Sequence, residues 1–310
     1  MRGMIRTIKG DILPSEMGIT YSHEHILWSP PEPFAHEDPD LVMMDYNAAI
    51  SELRAFATSG GKTIVEMTTM ELNRDPIKML EIANATTVNI IAATGFNKAK
   101  YSKGIISSLS INQIADLMTK DLLEGMDNTA IRAGVIKASS SLNIITEEEK
   151  KVFIAAAISH KRTGAPISTH TEAGTMAIEQ ITLLIENSVN PSRILIGHLD
   201  RNMDLRYIES VAKFGVMLGL DQIGKEKYAS DMQRITLIKH LIERGYKDQI
   251  LISGDMARRS SWKSYGCPRA LGLTYILDSF IPLMRESSLG EELIQTIFIQ
   301  NPARFFAWNL

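Results

Sequence analysis

The segments PISTHTEA (166–173) and RILIGHLD (193–200) decide the fold class. Each is a mostly apolar, β-branched run that turns polar at its carboxyl end. Such runs are typical of parallel strands covered on both faces, because a half-exposed strand alternates apolar with polar residues. The pattern therefore predicts an α/β protein whose polar strand ends gather on one side of the sheet.

The same pattern recurs on both sides of these segments. Eight strand signals, most of them followed by a helix signal, predict a (β/α)8 TIM barrel that forms a single domain over residues 1–310. An open, doubly wound sheet is the alternative, but no glycine-rich phosphate loop follows the first strand. The other six strand segments are GITYSHEHI (18–26), TIVEMT (63–68), NIIAATG (89–95), AGVIKASS (133–140), GVMLGLD (215–221) and QILISGD (249–255). The predicted helices cover 45–59, 112–125, 146–163, 205–214, 231–244 and 291–300.

Composition narrows the class of protein. The 310 residues are 45% hydrophobic and 22% charged, which is an ordinary globular balance. A net charge of −3 argues against nucleic acid as a partner. The single cysteine, Cys267, excludes an internal disulfide and favours a cytoplasmic location. Neither a secretory signal nor a membrane span is expected from the apolar segments.

Ionisable residues collect at the ends of the predicted strands, where the active site of such a barrel lies. His23 and His25 end one segment, and residues i and i+2 of a strand point to the same side, so both imidazoles can reach one ion. His170, His198 and Asp255 stand at equivalent positions of three other strands. Imidazole with carboxylate is a ligand set for zinc, iron, manganese or nickel. The set predicts a metal centre, although the His-x-His pair alone fits a solvated strand end equally well.

Lys137 interrupts the otherwise apolar and small-residue segment 133–140. A buried, unpaired ammonium is costly, so three interpretations are open. The lysine pairs with a carboxylate or extends out of the barrel, it forms a Schiff base with a carbonyl substrate, or it takes up CO2 and becomes an anionic metal ligand. The neighbouring histidines favour a metal ligand over the Schiff base.

Six motifs together resemble the phosphotriesterase-related branch of the amidohydrolase superfamily, and most of all its phosphorylated-sugar lactonase subgroup. Their order and spacing agree with that family from Gly10 to NPARFF (301–306). The motifs are SHEH (22–25), GVIKAS (134–139), STHTEAG (168–174), LIGHLD (195–200), GLDQIG (219–224) and LISGD (251–255).

The resemblance implies two divalent metal ions per chain, with zinc preferred and manganese, cobalt, nickel or iron as alternatives. By motif, the more buried ion takes His23, His25 and Asp255, and the more exposed ion takes His170 and His198. Lys137, carboxylated on its amine, bridges both ions together with a hydroxide. Asp255 is also the implied catalytic residue, since it accepts the proton from that attacking hydroxide.

The predicted loops indicate the substrate class. Asn97 and Gln222 differ from the residues that acyl-homoserine lactonases and phosphotriesterases carry there. Cations and tyrosines cluster on the loops after strands three, seven and eight, which makes them a candidate anion site. Among these residues we expect Lys98, Lys225, Arg258 and Tyr265 to bind a phosphate group. Asp200 either orients a metal ligand or starts the following loop.

The resulting hypothesis is a metal hydrolase that opens a phosphorylated sugar 1,4-lactone, with a homodimer as a candidate assembly. Three alternatives remain at this point. They are a promiscuous lactonase or phosphotriesterase for neutral substrates, a Schiff-base lyase, and a non-catalytic metal-dependent binding protein.

Overall fold

A barrel of parallel strands forms the centre of the computed structural model, which describes residues 3–308. A short antiparallel hairpin, β1 (Ile5–Thr7) and β2 (Gly10–Ile12), precedes it. The eight predicted strands are confirmed, and consecutive strands pair in parallel, so the (β/α)8 architecture is confirmed as well. The barrel strands are β3 (Thr20–Glu24), β4 (Thr63–Glu66), β5 (Asn89–Gly95), β6 (Val135–Ser139), β7 (Ile167–His170), β8 (Ile194–Gly197), β9 (Met217–Leu220) and β10 (Ile250–Ile252).

Helices surround the strands. The predicted helices are confirmed, and the capping box at Thr146 and Glu149 forms as expected. The predicted helix 291–300 is α-helical only from Glu291 to Gln295, and a π-helical turn follows from Thr296 to Gln300. The helices are α1 (Phe34–Glu37), α2 (Tyr46–Thr58), α3 (Pro76–Thr86), α4 (Ala99–Ile106), α5 (Ile111–Leu123), α6 (Glu147–Thr163), α7 (Ala177–Glu186), α8 (Leu205–Ala212), α9 (Asp231–Glu243), α10 (Ile281–Glu286), α11 (Glu291–Gln295) and α12 (Asn301–Phe306). None of the described helices is long and apolar enough to cross a membrane.

The amino-terminal end of the barrel is filled by apolar side chains. Ile5 from the hairpin and Phe305 and Phe306 from α12 pack there against strand residues such as Val65 and Val135. The Arg6 guanidinium carbon lies 4.2 Å from the ring centroid of Trp308. Because this end is packed, the polar strand ends at the other side are left to form the site.

The barrel has one seam. Over residues 3–308, β10 and β3 share no backbone ladder, whereas every other neighbouring pair of barrel strands does. Two serine hydroxyls cross the gap instead. Ser22 Oγ donates to Ile252 O at 3.3 Å, and Ser253 Oγ donates to His23 O at 2.7 Å. Side-chain hydrogen bonds therefore close the barrel between its first and last strands.

Candidate metal centre

The six predicted metal ligands line one cavity of about 520 Å³ at the carboxyl ends of the strands. Lys137 lies within β6 and His23 within β3, and the other four end a strand or closely follow one. His198 and Asp255 have backbone φ angles of 60° and 44°, in the left-handed region that non-glycine residues rarely adopt. Such conformations persist where the surrounding structure enforces them, and they cluster at functional sites.

The three residues predicted for the more buried ion lie together. Donor atoms of His23, His25 and Asp255 all lie within 4.8 Å of one another. Burial keeps the pKa of both imidazoles well below its usual value, so they are neutral near pH 7. Burial acts to raise the pKa of Asp255, but Lys225, together with the neighbouring histidines, outweighs it and holds this pKa well below its usual range. Neutral imidazoles beside an ionised carboxylate are the protonation states that a divalent metal requires, so this donor set fits an ion.

The remaining histidines extend this group. The ring centroids of His170 and His198 lie 4.4 Å apart, and those of His198 and His23 lie 4.6 Å apart. Burial, together with the nearby His198, lowers the pKa of His170 to about 3. The four strand-end histidines thus form one continuous group of potential donors.

Lys137 is fully buried among these residues. Its Nζ donates to Met67 O at 2.9 Å, and no described carboxylate lies within 4 Å of it. Burial lowers its pKa to about 8 in spite of the attraction of nearby acids, with Asp255 the strongest. Gly95, on the adjacent strand, has a φ of 99°, and a Cβ there would lie 2.0 Å from Lys137 O. Only glycine lets the two strands approach closely enough to place the lysine here.

Asp221 holds His198 in place, and the sequence analysis missed this role. Its Oδ1 lies 2.6 Å from His198 Nδ1, and its Oδ2 accepts a hydrogen bond from His198 N at 3.0 Å. The signal was present, since Asp221 ends the segment 215–221 just as Asp255 ends 249–255. Metal-binding histidines usually donate their second ring N–H to such a carboxylate, which fixes the tautomer and the ring orientation.

Asp200 supports His198 indirectly, through Asp221. Its carboxylate accepts hydrogen bonds from Asp221 N and Gln222 N, both at 3.1 Å, and from Arg234 Nε at 2.8 Å. Burial and the nearby Asp221 raise the pKa of Asp200 to about 6. Asp200 therefore orients the backbone of the residue that in turn holds His198.

His25 has a polar support of its own. Its Nδ1 lies 2.8 Å from Thr68 Oγ1. Glu66, at the end of β4, accepts hydrogen bonds from the backbone N–H groups of Thr68 and Ile26. The end of β4 and the residues after it therefore hold the His25 ring in place.

Three of the four predicted phosphate-binding residues line the cavity: Lys98, Lys225 and Arg258. Each has an acidic partner. Lys98 pairs with Glu172, Lys225 Nζ lies 3.0 Å from Asp255 Oδ2, and Arg258 Nη2 lies 2.9 Å from Asp38 Oδ2. These cations are therefore held at defined positions on the cavity wall.

Tyr265 is not among the residues that line the cavity. Its hydroxyl accepts a hydrogen bond from Asp45 N at 3.4 Å, and its ring lies 5.0 Å from the guanidinium of Arg259. These contacts draw the side chain toward the start of α2. The tyrosine instead ties the loop after β10 to that helix.

The comparison with known proteins decides the family. Residues 3–306 match the sequence profile of the Phosphotriesterase family. This chain belongs to the phosphotriesterase family. This membership and the strand-end histidines together indicate a metal-dependent hydrolase.

Three relatives of this phosphotriesterase-family chain illustrate the similarity. A protein from Mycoplasmopsis synoviae named phospho-furanose lactonase is 35% identical over 98% of this chain and 92% of its own length. The crystal structure of a lactonase from Listeria monocytogenes has a TM-score of 0.94 and 36% identity, covering 99% of this chain and 100% of that one. A phosphotriesterase homology protein from Escherichia coli, solved with phosphate in its active site, has a TM-score of 0.89 and 32% identity, covering 94% of this chain and 99% of that one.

The cavity of this family member holds three further cations: Arg201, Lys227 and Arg269. Lys227 belongs to the predicted cluster on the loop after strand seven, whereas the sequence analysis missed Arg201 and Arg269. Arg201 Nη1 donates to Glu172 Oε1 at 2.9 Å, and Lys227 Nζ lies 4.7 Å from the ring centroid of Tyr228. Arg269 has no carboxylate partner within 4 Å among the described residues. Arg201 and Arg258, by contrast, are both ion-paired.

Proposed function

We propose that this protein opens a phosphorylated sugar 1,4-lactone with the help of two divalent metal ions. The observation that carries the proposal is the lining of the cavity, where a set of metal-ligand side chains faces a wall rich in lysine and arginine. The metal-ligand side chains suit hydrolysis. The lysine and arginine side chains suit a substrate that carries an anionic group away from the reacting carbonyl.

The relatives support the same substrate class. One is named for a phospho-furanose lactone, one is described as a lactonase, and one holds phosphate in its active site. All three are more than 30% identical to this chain over nearly its whole length. The family also favours hydrolysis over the Schiff-base lyase that Lys137 alone left open.

In this proposal His23, His25 and Asp255 would hold one ion, and His170 and His198 would hold the other. Lys137, with its amine carboxylated, would supply a further anionic ligand. Zinc is the preferred metal, because its sites combine imidazole with carboxylate. When bound, such ions lower the pKa of water toward 7 and polarise a carbonyl oxygen.

Asp255 is proposed to move the proton. Water attack on the lactone carbonyl breaks the ring C–O bond, and the ring oxygen leaves as an alkoxide on the same molecule. Asp255 takes the proton from the attacking oxygen and passes it to that alkoxide. Lys225, whose Nζ lies 3.0 Å from Asp255 Oδ2, keeps the carboxylate ionised and ready to accept.

The phosphate group is proposed to bind at the wall formed by the loop after β10, next to Arg258 and Arg269. Lys98 and Lys225 contribute positive charge from the loops after β5 and β9. Arg258 is held by Asp38 and by Asp40, whose Oδ2 lies 3.2 Å from Nη1, so its guanidinium is oriented before substrate arrives. Binding energy from a remote phosphate can then orient the lactone over the metal centre.

Replacing Arg258 or Arg269 by alanine should penalise the phosphorylated substrate selectively. One charged hydrogen bond contributes about 1.5–3 kcal/mol, so kcat/KM for a phosphorylated lactone should fall roughly 10- to 100-fold. The value for the matching dephosphorylated lactone should stay near that of the wild type. Both lactones are assayed on the wild type, on Arg258→Ala and on Arg269→Ala.

Arg259→Ala is the matched control, because Arg259 lies on the same loop but outside the cavity wall. It should leave both substrates unaffected. Equal kcat/KM for the two lactones on the wild-type enzyme would contradict the phosphate site. That result would favour a neutral lactone or a phosphotriester and would leave the metal centre in place.

A further inference from the structure

Glu24 lies between two proposed metal ligands, His23 and His25, and its side chain is fully buried. Three groups that can donate surround its carboxylate, and one of them, the Ser253 hydroxyl, also lies 2.7 Å from His23 O. Oε1 lies 2.8 Å from Ser253 Oγ and accepts from Gly254 N at 2.8 Å, and Oε2 accepts from Met256 N at 2.7 Å. Both backbone donors flank Asp255, the third proposed ligand of the same ion.

These contacts cross the seam of the barrel. Glu24 is on β3 and its donors follow β10, the one neighbouring pair of barrel strands in residues 3–308 without a backbone ladder. The proposed ligands of the buried ion stand on the two sides of this seam, with His23 and His25 on one side and Asp255 on the other. Their separation therefore depends on side-chain contacts rather than on strand pairing.

The Glu24 contacts also fit the unusual backbone of Asp255, whose φ is 44°. Such a conformation is unfavourable by itself and needs support from its surroundings. The N–H groups before and after Asp255 are both held by one carboxylate. On the other side, Lys225 Nζ and Gln222 Nε2 each lie 3.0 Å from Asp255 Oδ2. Glu24 thus fixes the backbone, while the loop after β9 fixes the side chain.

We propose that Glu24 is a positioning residue, which sets Asp255 against His23 and His25 across the seam and so sets the affinity for the ion that these three hold. The inference rests on the ligand set of the proposed function. Glu24 would thus control metal binding without being a ligand, through the backbone that follows β10.

Glu24→Gln tests this claim with cobalt(II) as the probe. An amide has one acceptor oxygen, and its NH2 group must then face at least one of the three donors. We expect the metal-free variant to bind cobalt(II) at the tighter site roughly 10- to 100-fold more weakly than the wild type, as for other groups that orient metal ligands. Calorimetric titration of the full chain gives the stoichiometry and each dissociation constant.

Glu149→Gln is the matched control. Glu149 is also a buried glutamate that accepts from a serine hydroxyl, Ser141 Oγ at 2.6 Å, and from backbone N–H groups such as Ala99 N at 2.9 Å. It supports the loops after β5 and β6 and contacts none of the proposed ligands. Its variant should melt at a lower temperature without metal, yet show the wild-type increase in Tm when cobalt(II) is added. Glu24→Gln should show a smaller increase.

The outcomes separate the inference from the proposed function. Wild-type cobalt(II) affinity in Glu24→Gln, or equal weakening in Glu24→Gln and Glu149→Gln, would overturn the positioning role. Wild-type stoichiometry in His23→Ala would instead show that the ligand set itself is wrong. If Glu24→Gln does not fold, Ser253→Ala removes one donor of the three and should weaken the same site by about threefold. Unchanged affinity in that variant would likewise overturn the inference.

Discussion

The Lys137→Ala protein should bind little metal and lose nearly all hydrolytic activity. The lysine lines the cavity together with the other proposed ligands, and a carboxylate on its amine would help to hold both ions. Because metal ions supply several kcal/mol of transition-state stabilisation, their loss should lower kcat/KM by at least about 10³. Metal analysis by mass spectrometry and a lactone assay on the same preparation measure both effects. A short carboxylic acid such as acetate or propionate should partly restore metal and activity, since it can replace the missing bridge.

The matched control is Ser168→Ala. Ser168 pairs with Lys137 in the β6–β7 ladder, is fully buried, and has a hydroxyl without a hydrogen-bond partner among the described residues. Its removal should leave metal content and activity close to those of the wild type. A crystal structure of the metal-loaded enzyme with an unmodified ammonium at Lys137 would disprove the carboxylated bridge.

Replacement of Asp255 by asparagine should lower kcat by about 10²- to 10⁴-fold, the usual contribution of a general base. Asparagine keeps the shape of the side chain but cannot accept the proton. Its amide NH2 would also oppose Lys225 Nζ or Gln222 Nε2, which both donate to the carboxylate. Initial rates with the phosphorylated lactone at saturating zinc, together with bound metal per chain, measure the change.

Asp231→Asn serves as the comparison for this variant. Asp231 is the buried first residue of α9, and its carboxylate accepts hydrogen bonds from Gly224 N at 2.9 Å and Arg234 Nη1 at 3.1 Å without contacting a strand-end histidine. It should lose stability but retain kcat. If Asp255→Asn keeps full metal occupancy and turns over within tenfold of the wild type, another group must accept the proton.

The barrel was predictable because its evidence is local. Each buried parallel strand has its own apolar run, and Thr146 with Glu149 marks the start of α6. The sequence analysis did not predict α3, although Asp75 caps its amino-terminal end and Pro76 stands in its first turn. The π-helical turns at Ile276–Phe280 and Thr296–Gln300 have no separate period in the sequence, so nothing in the pattern distinguishes them from α-helix.

The site was predictable only as far as residue type and strand position determine it. The proposed ligands share a polar strand end, and a motif could therefore identify them. The partners of the cations depend on the fold instead. Arg258 pairs with Asp38 and Asp40, which are about 220 residues away in sequence. Similarly, Tyr265 looked like its neighbours on the loop, and only packing shows that it turns toward Asp45.

The left-handed backbone at His198 and Asp255 has a consequence for protein engineering. Glycine or asparagine adopts that conformation more readily, and relief of such strain is worth about 1 kcal/mol. A library screened for heat tolerance alone would accordingly accumulate glycine and asparagine at these two positions. We expect such variants to be more stable but to lose the proposed hydrolytic activity. Directed evolution of this scaffold should hold both codons fixed, or alternate selection for survival with selection for turnover.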